Sequence, residues 1–194
     1  MTTHSQSKFL EVPDYLIYEM DEGKPIYYRG YRDVLLGHKQ FEEIMGESTL
    51  QTWLKTQITI FLSKLLDDSK YICVVGEQGL LLSKNTHRAS DISIFTKENF
   101  KLTSHYSKLP PKIVIEIDTK AHIEEDEHPA MHYFYRKTQQ LFDFGVERVI
   151  WIFTADKKIM TAEPNQDWIT TDWHNAVHVL DDIHLNVKEL LPEE

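Results

Sequence analysis

Two short segments decide the fold: Ser90-Asp91-Ile92-Ser93-Ile94-Phe95 and Lys112-Ile113-Val114-Ile115-Glu116-Ile117-Asp118. Each reads as a buried strand that carries an acid inside an apolar run. A carboxylate in a strand core costs several kcal/mol unless it is paired or binds a metal. Strand alternation puts Glu116 and Asp118 on one face of the second segment and Ile113, Ile115 and Ile117 on the other. If the two strands are neighbours, Asp91, Glu116 and Asp118 converge. Such a cluster of hard oxygens suits Mg²⁺ or Mn²⁺.

Working outward, there are 194 residues, enough for one domain with a real core. No apolar run is long enough to cross a bilayer. The start, Met1-Thr2-Thr3-His4-Ser5-Gln6-Ser7-Lys8, lacks the apolar core of a signal peptide. Cys73 is the only cysteine, so no intrachain disulfide or cysteine zinc cluster forms, and a reducing cytoplasm is the expected setting. The net charge of −10 argues against a protein that holds nucleic acid by electrostatics alone. It leaves room for an enzyme that meets the phosphate backbone through divalent cations and a local basic patch.

Residues 1–12 read as a loose arm and 13–194 as a single domain. Pro25 to Leu36 alternates aromatic and polar residues around Arg29-Gly30, which predicts a hairpin. Ser48 with Gln51 resembles a capping box. Behind it Leu50, Trp53, Leu54, Ile58, Phe61, Leu62 and Leu65 mark one face of a long helix, with Gln57 as the polar exception. Strands are expected at Tyr71–Val75, Gln78–Ser83, Asp91–Phe95 and Ile113–Asp118, with a turn at 84–88 and a polar loop from Lys97 to Pro111. A second helix runs from about Pro129 to Phe144 and stops at Gly145. The run 148–153 reads as a central strand, Lys158–Ala162 as its hairpin partner, and a late strand lies near Ala176–Leu180. The order predicts an α/β or α+β domain, a mixed central sheet flanked by helices.

Several residues have two readings. Asp91 is a metal ligand or a strand-end acid paired with Arg88. Asp118 is a ligand or the cap of the following turn. Lys137, beside the apolar stripe of Phe134, Leu141 and Phe142, reaches the acids or snorkels to water; Lys120, at the end of the acidic strand, is its rival. A cation there would orient an attacking water or offset developing charge. Glu77 and Asp91 fall at opposite ends of a regular hairpin, which makes Glu77 a secondary candidate. His122, His128 and His132, with Glu124 to Glu127 between them, form a second constellation. It reads as a metal site by its helical spacing or as a solvated crossing loop. Phosphate-cradling glycine loops, dinucleotide fingerprints and nucleophile elbows are absent.

Glu77-Gln78-Gly79, then Arg88-Ala89-Ser90-Asp91, then Pro111 to Ile117, then Lys137 and Gly145 to Trp151 together resemble the Uma-two family, in the PD-(D/E)XK nuclease superfamily. The resemblance spans roughly Tyr27 to Ala162. It implies a restriction-endonuclease-like core and a Mg²⁺- or Mn²⁺-dependent endonuclease acting on DNA, with a homodimer as an option for cutting two strands. It places Asp91 at the aspartate of the family's Arg-x-Pro-Asp segment, with Ser90 for the proline, and Glu116 at its Glu-Val position. Asp118 stands where the superfamily usually has lysine, and Lys137 matches a lysine moved to the following helix. Glu77 matches an upstream glutamate. The rival from another class is a catalytically inactive nuclease-fold binding module.

Overall fold

The computed structural model describes residues 12–123 and 131–192. Residues 1–11 of the proposed arm and residues 124–130, with His128 and Pro129, lie outside the described residues. Among the described residues eight strands form one sheet in the path β2 (Lys24–Tyr27), β1 (Ile17–Asp21), β4 (Thr86–Thr96), β5 (Ile113–Ile117), β6 (Arg148–Phe153), β7 (Lys158–Ala162) and β8 (Ile169–Asp172), with β3 (Tyr71–Ser83) also paired to β4. Among the described strands only β5 and β6 pair in parallel, with helix α4 (Met131–Phe144) between them in the chain. This is the mixed sheet flanked by helices that the element order predicts. A second hairpin, β9 (Val177–Leu180) with β10 (Ile183–Leu185), packs its apolar residues into the core on the side of helix α3 (Thr49–Leu65).

The isoleucines of β4, β5 and β6 meet Leu54, Ile58 and Leu62 of α3. Phe95, Val114, Val149 and Trp151 meet Tyr133, Phe134 and Leu141 of α4 on the other face. Alternation thus gives each central strand two apolar faces, as burial on both sides requires. Helix α3 starts where expected. Ser48 Oγ accepts from Gln51 N, and Gln51 Oε1 accepts from Ser48 N. Its buried stripe is narrower than the periodicity suggests, because Leu50, Trp53 and Leu65 stay exposed while Lys55 is buried.

Three local expectations are corrected. The first hairpin turns at Glu22-Gly23, both at positive φ, rather than at Arg29-Gly30. Gly30 instead leads at φ +88° into the short helix α1 (Tyr31–Leu35). The pair Tyr71–Val75 and Gln78–Ser83 is one continuous strand whose register shifts between Val75 and Gln78. The 84–88 turn is shorter, because His87 and Arg88 already belong to β4.

That shift bears on the site. Val75 pairs with Ile92 and Gln78 with Ser90, so the extra residue of β3 lies opposite Asp91. Gly76, at φ +129°, supplies the bulge conformation. The tight turn at Lys84-Asn85 sets the pairing of Gln78 with Ser90, so Glu77, next in the chain and inside the bulge, lies level with Asp91.

Candidate active site

The site lies where one edge of β4 changes partner. Near its start β4 pairs with β1, through Met20 and His87; from Ile92 onward it pairs with β5. Between them the edge loses regular ladder acceptors, and side-chain carboxylates replace them. Glu19 Oε1 accepts from Ala89 N at 3.0 Å, and Asp91 Oδ2 accepts from Ile117 N at 2.7 Å. Divergence of β1 and β5 thus opens a wedge into which Glu19, Asp91 and Glu116 converge.

Glu116 is 2 % exposed and pairs in register with Trp151. Lys137, fully buried on α4, places Nζ 3.0 Å from Glu116 Oε1 and 2.9 Å from Glu19 Oε1. The indole of Trp151 and the ring of Tyr133 lie beneath the ammonium. Despite these short approaches, Glu116 Oε1 and Lys137 Nζ have no well-aligned hydrogen bond. Burial raises the Glu116 carboxyl to about 8; Lys137 offsets this in part, and Asp91 and Glu19 add to it. Burial alone would lower the Lys137 ammonium, but Glu116 and Glu19 outweigh it and hold the lysine charged.

Glu19 was not singled out from the sequence, yet it is the most connected acid of the wedge. It accepts from Arg88 at 2.9 Å and from the Tyr133 hydroxyl at 2.8 Å. Burial works against its charge, but Lys137 and Arg88 prevail and keep its carboxyl below the usual range. Arg88 therefore pairs with Glu19, and with Asp21 at 3.1 Å, rather than with Asp91. Gln140 accepts from the same guanidinium.

The cation on Asp91 is Lys55, whose Nζ lies 2.6 Å from Oδ1. Lys55 also pairs with Glu47, and Lys120 bridges Glu47 and Glu77. A chain of alternating charge thus runs along the rim from Glu77 to Asp91. Burial raises the Asp91 carboxyl, against the pull of Lys55. Lys55 was missed because a lysine one position from an apolar stripe ordinarily reads as solvent-facing.

Asp118 leaves the wedge. Its φ of +56° ends the alternation, and its carboxylate accepts from Thr154 N at 2.8 Å and Thr154 Oγ1 at 2.6 Å. It caps the turn after β6, the second of the two roles its position allows. The Gln57 side chain on α3 is half-buried and makes no hydrogen bond to another described side chain or backbone group. Gln51 is the α3 amide that reaches the strand end, donating to Ile117 O at 3.1 Å. His122 packs edge-on against Tyr31. Among the described residues no group of three or more His, Cys, Asp or Glu is arranged to hold a metal ion. A cleft of about 670 Å³ opens beside the strand ends, bordered by Arg29, Lys39, Gln51, Asp118, Lys120 and Thr154.

No protein-family model matches this chain, and no curated protein matches it. Among solved structures it is similar to a "putative nuclease belonging to DUF820" from Anabaena variabilis ATCC 29413. The TM-score is 0.63 at 15% identity, over 89% of this chain and 88% of that one. The likeness establishes a shared fold across nearly the whole domain. No helix among the described residues is long and apolar enough to cross a membrane.

Proposed function

We propose that the chain is a divalent-metal-dependent endonuclease of the restriction-endonuclease-like, Uma-two type, hydrolysing phosphodiester bonds in DNA. The observation that carries this is Glu116: a carboxyl at the centre of the sheet, raised to about 8, beside Asp91 and with one oxygen lacking a well-aligned partner. Carboxyls raised by burial beside a second acid and a lysine cluster at functional sites. The fold shared with the Anabaena protein, itself described as a putative nuclease, points the same way.

Asp91 and Glu116 are the residues that would hold Mg²⁺ or Mn²⁺. Two carboxylates suffice, because Mg²⁺ is commonly bound by one or two with water and substrate phosphate completing the shell. The donor set is hard oxygen, and a dication beside Glu116 would favour its charged form. The ion supplies polarisation of the phosphate and a more acidic water. Lys137 fixes the Glu116 carboxylate and places positive charge where a phosphate would approach. Glu19, with Arg88 and Tyr133 behind it, holds Lys137 in that position. Lys55 balances Asp91 at the rim.

The second reading is a non-catalytic relative that binds without turnover. It is favoured by one observation: both Asp91 oxygens are already engaged, by Lys55 and by Ile117 N–H. Two measurements separate the readings: Mn²⁺ titration calorimetry, and cleavage of plasmid, single-stranded DNA and RNA in Mg²⁺, Mn²⁺, Ca²⁺ or chelator. The nuclease reading expects Mn²⁺ binding that is lost in Glu116→Gln, and cleavage in Mg²⁺ or Mn²⁺ only. Inactivity on every substrate with no ion bound selects the binding module.

A further inference from the structure

The segment between β4 and β5 departs from the acidity of the chain. Residues 97–112 hold Lys97, Lys101, Lys108 and Lys112 against one acid, Glu98, in a protein of net charge −10. Lys112 is paired with Glu147. Lys97, Lys101 and Lys108 are exposed and have no ion pair among the described residues. Cations left unpaired on an acidic protein are free to meet a polyanion.

The segment is also anchored beside the site. Ser107 N donates to Gly79 O at 2.9 Å, and Leu81 N donates to Ser107 O at 2.8 Å, forming a short parallel bridge on β3. This seats the ring of Tyr106 against Gly79 so closely that a Cβ there would lie 2.3 Å from the ring. His87 meets the ring edge-on at 5.5 Å, yet Tyr106 remains 54% exposed. Gly79 pairs with Ala89, two residues from Asp91, and Glu77 of the bulge is two residues from Gly79. The charge of Glu77 is answered by Lys120.

We propose that this segment is a nucleic-acid contact surface, on which an unpaired nucleobase stacks against Tyr106 while Lys101 and Lys108 take neighbouring phosphates. An exposed ring accepts any base, but only a base outside a duplex presents its face. The favoured substrate is therefore a single strand, or a splayed end, led past Tyr106 toward Asp91. This rests on the nuclease reading for what the strand is led to, not for the binding itself.

The test is fluorescence anisotropy of the full chain with a labelled single-stranded DNA oligonucleotide and its duplex, in Ca²⁺ and in chelator. The single strand should bind more tightly. Tyr106→Ala should weaken it about tenfold, and Tyr106→Phe should retain binding. Tyr106→Leu keeps the packing on Gly79 without the aromatic face and should show the same loss as Tyr106→Ala. Lys101→Ala with Lys108→Ala should lower the slope of log affinity against log salt by about 1.4, whereas Lys64→Ala, at an exposed lysine in the last turn of α3 and outside this segment, should leave it unchanged. Binding that depends on Tyr106 without cleavage in Mg²⁺ keeps this surface and removes the nuclease reading. Cleavage with binding indifferent to Tyr106 does the reverse. Failure of the wild-type chain to bind any strand overturns the surface.

Discussion

Lys55 Nζ lies 2.6 Å from Asp91 Oδ1, so helix α3 places an ammonium on the acid at the point where β4 changes partners. Both side chains are about nine-tenths buried. Removing one partner of such a pair leaves the other charge uncompensated. Lys55→Met should therefore cost about 3 kcal/mol. Lys55→Met with Asp91→Asn should recover most of that loss. Urea unfolding of the three variants and wild type gives the coupling; additive losses would show that the pair contributes nothing.

The Glu116 carboxyl predicts a pH dependence of stability. In the folded chain it keeps its proton up to about 8, whereas its ordinary value is 4.5. Between those limits the folded state binds more protons than the unfolded state, so stability falls as pH rises. The slope from this group approaches about 1.4 kcal/mol per pH unit and vanishes above its folded value. Glu116→Gln should flatten the curve across that window and stabilise the metal-free protein at its upper end. Denaturant unfolding at several pH values checks this; an unchanged slope in the variant would remove Glu116 as the source.

Lys137 sits between two carboxylates at zero exposure. Lys137→Met should lower the melting temperature in chelator by the equivalent of about 3 kcal/mol, because the ammonium between Glu19 and Glu116 is lost and only Arg88 remains on Glu19. Mn²⁺ should restore part of the loss, raising the melting temperature of the variant more than that of wild type. Equal shifts in both proteins would mean that the ion does not bind beside Glu116.

Asp91→Ala and Glu116→Ala should each abolish Mg²⁺-dependent DNA cleavage by removing a ligand, with melting curves showing a retained fold. Supercoiled plasmid nicking is the sensitive readout. Activity in Asp91→Ala equal to wild type would identify a contaminating nuclease.

Gly79 is held small by Tyr106. Gly79→Ala should destabilise by about 1–3 kcal/mol through that overlap. Gly79→Ala with Tyr106→Ala should recover most of it, since Gly79 has no left-handed φ to lose. Thermal melts of the single and double variants decide it.

The sequence by itself determined what neighbouring residues settle among themselves. The capping box of Ser48 and Gln51, the stop at Gly145 with φ +117°, the buried run of β6 and the paired acids of β4 and β5 are all local signals. They were enough to give a mixed sheet with helices and to nominate Asp91, Glu116 and Lys137. Asp118 was open between two roles, because a single backbone angle at the strand end decides its direction and alternation does not encode that angle.

Tertiary structure alone decided the partners. Glu19 and Glu116 are far apart in the chain but share the Lys137 ammonium, and Lys55 rather than Arg88 answers Asp91. The level placement of Glu77 with Asp91 exists only once β3 and β4 are in register. The physical reason is common to all three. A buried charge selects whichever opposite charge the packing delivers, and that delivery depends on long-range strand pairing, for which a linear pattern of apolar residues carries no direct signal.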